Sequence, residues 1–277
     1  MRNLWLICNL HSGSATEARI REIEAVCARE GIKRVGRTAF PDDALPSVAT
    51  LAAADVDTVA LFGGDGTINA ALSALDGWDG RFLILPGGTM NLLAKTLHER
   101  DDLDGIISAA RRRGTTVPLP IVTAGSRRAY VGLILGPAAS WVHAREASRA
   151  GLLTKMVRAA RLAWRRTWGR GMRIGGVERL RSRYQAVLVR PEQRGLNVAG
   201  IDARDLRSIA ELGWNWLSGD WVNAHAVTQC HAQTLRIEEH RPVLALFDGE
   251  ADTLAPGTVI TGTMTGSVFI STRHDAR

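Results

Sequence analysis

The sequence predicts an α/β protein, with an N-terminal domain built on a parallel sheet and a β-rich domain after it. Over the first 115 or so residues, short apolar runs alternate with segments of helical periodicity. Two of those runs end in glycine-rich turns that open directly into helices. From about residue 120 the helical pattern gives way to short strands separated by turn residues.

Each element has its own signal. Leu4 to Cys8 reads as a short buried strand. Ser14 and Glu17 then stand at capping-box spacing, Ile20, Ile23 and Cys27 fall on one helical face, and Gly31 marks the stop. Val56 to Phe62 is a strand that runs into Gly63-Gly64-Asp65-Gly66-Thr67-Ile68-Asn69. Thr67 is expected to start a helix, with Ile68, Ala71, Leu72 and Leu75 at i, i+3, i+4, i+7. Arg81 to Leu85 repeats the arrangement, leading through Pro86-Gly87-Gly88-Thr89-Met90-Asn91 into a helix with Met90, Leu93, Ala94 and Leu97 at the same spacing. Leu103, Ile106, Ile107 and Ala110 form a last helix, closed by three arginines and Gly114. In the second part, Ala129 to Leu135, Gln185 to Val189, Leu235 to Glu238 and Val243 to Phe247 read as strands. Within 144–168, Leu153, Met156, Val157, Ala160 and Trp164 make one face of a helix and Lys155, Arg158, Arg161 and Arg165 another. The expected domains are 1–120 with about 263–277, and 121–262.

Composition narrows the function classes. The chain has 277 residues, 45% hydrophobic and 23% charged, as in globular proteins. No run reaches the roughly 18 apolar residues of a membrane span, and the first residues are too short for a signal segment, so a cytoplasmic location is expected. Cys8, Cys27 and Cys230 are too few and scattered for a disulfide framework. The net charge of +7 calls for an anionic partner. Lysines occur only at 33, 95 and 155, so arginine carries the charge, and no Gly-Lys-Ser/Thr run of a P-loop is present.

Chemistry concentrates in three places. Glycines after a strand let backbone N–H groups approach an anion, and the following helix directs its positive end to the same spot, so Gly63 to Asn69 reads as a phosphate site rather than a plain capped turn. The second turn offers Thr89 and Asn91 in parallel with Thr67 and Asn69, which points to a nucleotide held from two sides. Asp248-Gly249-Glu250 follows a strand; were it extended, both carboxylates would face one way, one to hold a metal ion and one to take a proton from a hydroxyl, the alternative being an ordinary polar turn. His225, Cys230, His231 and His240 match no common zinc spacing. The basic stretch 144–168 either covers the β domain or lies on an anionic membrane; aromatics are not interleaved with its arginines as nucleic-acid binding would want.

These motifs together resemble the diacylglycerol kinase-type lipid kinases, a family that includes bacterial lipid kinases and sphingosine kinases. Gly63 to Asn69 is similar to the family's glycine-rich nucleotide loop, Pro86 to Ala94 to its second nucleotide motif, Asn9-Leu10-His11-Ser12-Gly13 to its first-strand turn with leucine in place of proline, and Asp248-Gly249-Glu250 to its late acidic motif. Leu92 and Pro118 stand where the family commonly carries acidic residues that in some members organise a structural cation. NAD kinases share the first glycine turn but not the Pro86 to Ala94 pattern.

The resemblance implies a nucleotide-binding α/β domain, a β-sandwich acceptor domain, a final strand at Ser267 to Ser271 returning to the first, and an active site in the cleft between them. It implies transfer of the ATP γ-phosphoryl group, with Mg²⁺, to a hydroxyl of a lipid such as diacylglycerol or a sphingoid base. N–H groups of Gly63, Gly64 and Gly66 would cradle phosphates; Asn9, Ser12, Thr67, Asn69, Gly87, Gly88, Thr89 and Asn91 would complete the nucleotide site. Asp65 and Glu250 are the catalytic candidates, either as base. Asp248 would orient the metal or its water, which makes Asp65 and Asp248 the metal candidates. Expected partners are the lipid and, peripherally, the inner face of an anionic membrane; a homodimer is compatible and nucleic acid is not expected. The rivals are a kinase with a soluble acceptor and a nucleotide-binding regulator without turnover.

Overall fold

A computed structural model describes residues 1–89, 91–136, 171–201 and 227–273. The basic stretch 144–168, His225 and the tryptophans at 214, 216 and 221 lie outside the described residues. The chain divides into one compact unit of Met1–Leu119 with Met264–Arg277 and another of Pro120–Thr263.

The first unit runs β1 (Asn3–Cys8), α1 (Glu17–Arg29), β2 (Lys33–Ala39), α2 (Val48–Ala53), β3 (Thr58–Gly63), α3 (Asp65–Ala74), β4 (Arg81–Pro86), α4 (Leu92–Leu97) and α5 (Leu103–Arg113). The strands pair in parallel in the order β2-β1-β3-β4. Apolar side chains of alternate strand positions, among them Leu6, Cys8, Ala60, Phe62, Leu83 and Leu85, pack under Ile20, Ile23 and Cys27 of α1 and Ile106 and Ile107 of α5. β2 and α2 went unread in the sequence. β2 is an edge strand with Lys33 and Arg34 exposed, and α2 buries only Leu51, so neither carries a strong apolar period. Helix α1 is capped by Thr16, whose hydroxyl accepts the Arg19 N–H, and not by Ser14. Helix α3 begins at Asp65, one residue after Gly64, and not at Thr67.

From β1 the chain passes first to β2 on one side, and later to β3 on the other. That reversal puts a crevice at the carboxyl ends of β1 and β3, the place where open parallel sheets bind ligands.

The second unit contains β5 (Thr115–Ala124), which begins at the end of the first unit, then β6 (Arg127–Ala129), β7 (Leu133–Leu135), β8 (Ile174–Gly175), β9 (Ala186–Glu192), β10 (Gly195–Ile201), β11 (Val227–Ala232), β12 (Thr234–Ile237), β13 (Val243–Phe247), β14 (Glu250–Leu254) and the first part of β15 (Val259–Ser271). Among the described residues, one antiparallel sheet has the order β11-β10-β9-β7-β13-β14. A second group joins β12 to β8 and β15, and pairs β5 with β6. Val187, Val189, Val198 and Phe247 of the first sheet and Val122, Ile174, Leu235 and Ile260 of the second group share one core, which makes this unit a β-sandwich. The end of β15 belongs to the first unit, where Val268 and Phe269 pair in parallel with Arg81 and Phe82 of β4.

Candidate functional site

Three loops of the first unit are tied together at the sheet's carboxyl edge. Asn9 directly follows the first strand; its N–H donates to the Phe62 carbonyl at 3.1 Å, and its Nδ2 donates to Thr67 Oγ1 at 2.8 Å. Its Oδ1 accepts the His11 N–H, which folds the chain back over itself. Ser12 Oγ accepts the Gly64 N–H at 3.1 Å. Ser14, free of capping duty, donates its N–H to the Gly87 carbonyl and its hydroxyl to the Gly88 carbonyl. Each loop thus holds another.

The glycines divide by role. A methyl on Gly87 would come within 2.6 Å of Gly63 N, and one on Gly88 within 2.5 Å of Gly64 Cα. These two are glycine because two backbones touch there. A methyl on Gly13 would meet Thr89 Oγ1 at 2.8 Å, which places exposed Thr89 against the first loop. Gly64 differs: a methyl there would make only ordinary van der Waals contacts, with Ser12 Oγ at 3.7 Å and Gly88 Cα at 3.9 Å, so no backbone clash requires glycine at this position between the first and third loops.

Backbone donors divide as well. The Gly64 N–H, assigned to a phosphate from the sequence, is used internally by Ser12, and the Gly88 N–H is used by Asn91 Oδ1 at 2.7 Å. Asn91 takes up the left-handed conformation, φ 52°, to make that turn. Within α3, the first intrahelical acceptor is the Gly64 carbonyl, bonded by Ile68. The N–H groups of Asp65, Gly66 and Thr67 have no acceptor inside the helix, and they stand at its positive end. Thr67 is buried with its hydroxyl bonded to Asn9, and Asn69 sits half-buried one turn into α3.

Asp65 is half-buried at the first position of α3, and its Oδ1 accepts the Leu92 N–H at 3.1 Å. The carboxylate therefore links the second loop to the first turn of α4. Leu92, the apolar departure from the family pattern, contributes its backbone here and buries its side chain.

Sequence reasoning missed Arg19. Its guanidinium carbon lies 5.9 Å from the centroid of the Phe62 ring, the residue immediately before Gly63. Among the described residues no carboxylate pairs with it. The signal was available: a cation in the first turn of a helix, where the dipole disfavours it, calls for an anion outside the helix.

The second unit holds Asp248 and Glu250, and the extended geometry expected for them does not occur. Asp248 and Gly249 are the two loop residues of a hairpin in which Phe247 pairs with Glu250, and both have positive φ, 50° and 94°. This is the I′ turn that an Asp-Gly pair favours. Asp248 is buried; its Oδ2 accepts the Tyr130 N–H at 2.7 Å and its Oδ1 accepts those of Val131 and Gly132 at 2.9 Å each. That clamp is why the strand expected over Ala129 to Leu135 breaks into β6 and β7. Burial pushes the Asp248 carboxyl up to about 6, while the three backbone donors pull the other way. Three backbone N–H groups thus hold the Asp248 carboxylate in place at the hairpin. Glu250 is exposed. Among the described residues no cluster of three or more His, Cys, Asp or Glu is arranged to hold a metal; Asp65 is the carboxylate of the glycine loop itself. Mg²⁺ carried by phosphate oxygens and waters needs only one or two protein carboxylates, and fits that set.

Glycine-rich turns at the switch point of a parallel sheet, in a chain that continues into a β-sandwich, define a two-unit α/β architecture. Residues 3–124 match the family described as diacylglycerol kinase catalytic domain. A curated protein of Streptococcus pneumoniae serotype 4, named "putative lipid kinase", is 47% identical over 53 residues; the matched stretch is 18% of either chain. A Bacillus anthracis str. Sterne structure described as a diacylglycerol kinase aligns over 98% of this chain and 97% of its own with a TM-score of 0.68 at 14% identity. A second from the same organism, described as a "putative diacylglycerol kinase", aligns over the same shares with a TM-score of 0.69 at 16% identity. At such identities these two establish the fold. No helix among the described residues is long and apolar enough to cross a membrane.

Proposed function

We propose that this protein transfers the γ-phosphoryl group of ATP to a hydroxyl of a lipid acceptor. The reading rests on one observation: the interlocked loops bring Gly64 and the first turn of α3, whose N–H groups have no acceptor within the helix, beside Ser12 and Gly88 at the carboxyl edge of the sheet, an arrangement suited to a triphosphate. Phosphoryl transfer needs chiefly positioning and charge stabilisation. Here the N–H groups of the first turn of α3 take phosphate oxygens, Arg19 supplies the cation that the missing P-loop lysine would supply, and Asn91 Nδ2 faces the rest of the nucleotide. Mg²⁺, when bound with the triphosphate, neutralises oxygen charge, with Asp65 as its protein carboxylate. Glu250, exposed and held by the hairpin that Asp248 anchors, is the base that takes the hydroxyl proton; Asp248 positions it.

The lipid nature of the acceptor is supported by the family of residues 3–124 and by the name of the pneumococcal relative. The arginine-rich stretch 144–168 would bring the enzyme to an anionic surface. The deciding experiment supplies radiolabelled ATP and Mg²⁺ with diacylglycerol, sphingoid bases, NAD or no acceptor. Label entering the lipid phase supports the reading. Label entering NAD, or ATP bound without turnover, replaces it with a soluble-acceptor kinase or a regulatory protein.

A further inference from the structure

We propose that His98 is a positioning residue for the third loop, a latch that holds the Pro86 to Asn91 turn in its binding geometry only while the imidazole is neutral. This rests on the functional reading above only in what the loop binds.

His98 directly follows α4 and is 3% exposed. Its Nε2 lies 2.9 Å from the Ile84 carbonyl and its Nδ1 3.0 Å from Thr272 Oγ1. A carbonyl only accepts, so Nε2 carries the proton and Nδ1 accepts from the threonine hydroxyl. Ile84 lies two residues before Pro86. A single bond therefore closes the base of the whole excursion from β4 through the third loop and α4, while Asp65 and Asn91 hold its tip.

The strand pairing explains why an imidazole is there. β15 pairs with β4 only at Arg81 and Phe82, and beyond that point the Ile84 carbonyl is met by His98. The end of β15 turns to α4 instead: the Thr272 N–H and the Ser271 hydroxyl both donate to the Leu97 carbonyl at 3.0 Å. The imidazole thus stands in for a missing stretch of sheet, and the last strand, the third loop and α4 meet on it.

No charge stabilises a protonated ring. Both ring nitrogens are already engaged with neutral groups. The ionisable residues on the surrounding elements are Lys95 on α4, Glu99 and Arg100 after it, Arg81 on β4 and Arg273 after β15, and none bonds the imidazole. Burial is the main influence and holds its pKa down to about 4, the Ile84 carbonyl opposing weakly. Once the loop opens, the ring regains its ordinary affinity for a proton, so acid favours the open form. Between pH 7.5 and pH 5 the open population rises about thirtyfold.

Amide hydrogen exchange of the nucleotide-free protein over residues 86–97 tests this. After correction for intrinsic rates, exchange in the wild type should accelerate about thirtyfold from pH 7.5 to pH 5. His98→Gln, which keeps a donor for Ile84 and an acceptor for Thr272 but cannot ionise, should stay flat, and His98→Ala should already exchange fast at pH 7.5. In turnover assays, His98→Ala should raise KM for ATP about ten- to hundredfold with kcat within a few-fold, and His98→Gln should restore it. Equal pH dependence in wild type and His98→Gln, or unchanged exchange in His98→Ala, overturns the proposal. If exchange behaves as stated but the wild type binds no nucleotide, the latch stands and the functional reading falls.

Discussion

A single methyl group at Gly64 separates a ligand site from a structural turn. The backbone there has φ −81°, allowed to any residue, and the added carbon has no neighbour closer than 3.7 Å. Alanine is a poorer helix N-cap than glycine, by about 1 kcal/mol at most, and stiffening the unfolded chain returns about 0.4–1 kcal/mol. Gly64→Ala should therefore unfold within about 1 kcal/mol of wild type. The same methyl at Gly88 meets Gly64 Cα at 2.5 Å, backbone against backbone, and forcing the loops apart should cost about 1–3 kcal/mol. Binding should reverse the order of injury. In Gly64→Ala the methyl occupies the space assigned to phosphate, and losing one or two charge-assisted hydrogen bonds at about 1.5–3 kcal/mol each weakens ATP by at least about tenfold. Denaturant unfolding and titration calorimetry on both variants give the two quantities. A Gly64→Ala protein of normal stability that binds ATP as wild type does would refute the assignment of that space to phosphate.

Asp65→Asn should keep the Leu92 hydrogen bond and the fold yet lower turnover by about two to four decades, as should Glu250→Gln; activity within a few-fold of wild type removes the role from either. Asp248→Asn sets an amide against backbone donors and should destabilise by about 1–3 kcal/mol for each N–H left unbonded, read from denaturant unfolding. For pH, the depressed His98 pKa means that between about 6.5 and 4 the unfolded chain binds more protons than the folded one. This group therefore withdraws up to about 3 kcal/mol of stability as pH falls through that window. The raised Asp248 pKa acts oppositely between about 6 and 4, adding stability as pH falls. Thermal melts from pH 7.5 to 4.5 should thus show less acid loss in His98→Gln than in wild type, and more in Asp248→Asn. Arg158, Arg161 and Arg165 changed together to glutamine should weaken sedimentation with anionic vesicles, most at low salt; unchanged sedimentation removes that stretch from membrane contact.

The glycine loops were legible because each follows an apolar strand and precedes a helix, a context that a few residues suffice to define. Their internal wiring was not. Which N–H serves Ser12 or Asn91 and which stays open depends on how three loops meet, and Ser14 looked like a cap because nothing local shows that Gly87 and Gly88 engage it. The Asp248 turn was readable: Asp-Gly between strands is a hairpin signal, and taking the stretch as extended overrode it. The break at Tyr130 to Gly132 was beyond local reading, since the carboxylate that causes it lies 116 to 118 residues away. Strands β10 and β11 escaped because Gly195 to Ile201 and Val227 to Ala232 are rich in small or polar residues. His98 escaped for the same kind of reason: it sits in a charged stretch, Lys95 to Asp102, and is buried only because the last strand returns to it.

The most direct measurement is a crystal structure of the protein with Mg²⁺ and a non-hydrolysable ATP analogue. The account predicts phosphate oxygens within hydrogen-bond distance of the Asp65, Gly66 and Thr67 N–H groups, with the Arg19 guanidinium on the same phosphates. An analogue bound elsewhere on the chain, with the space beside Gly64 filled only by solvent, would contradict it.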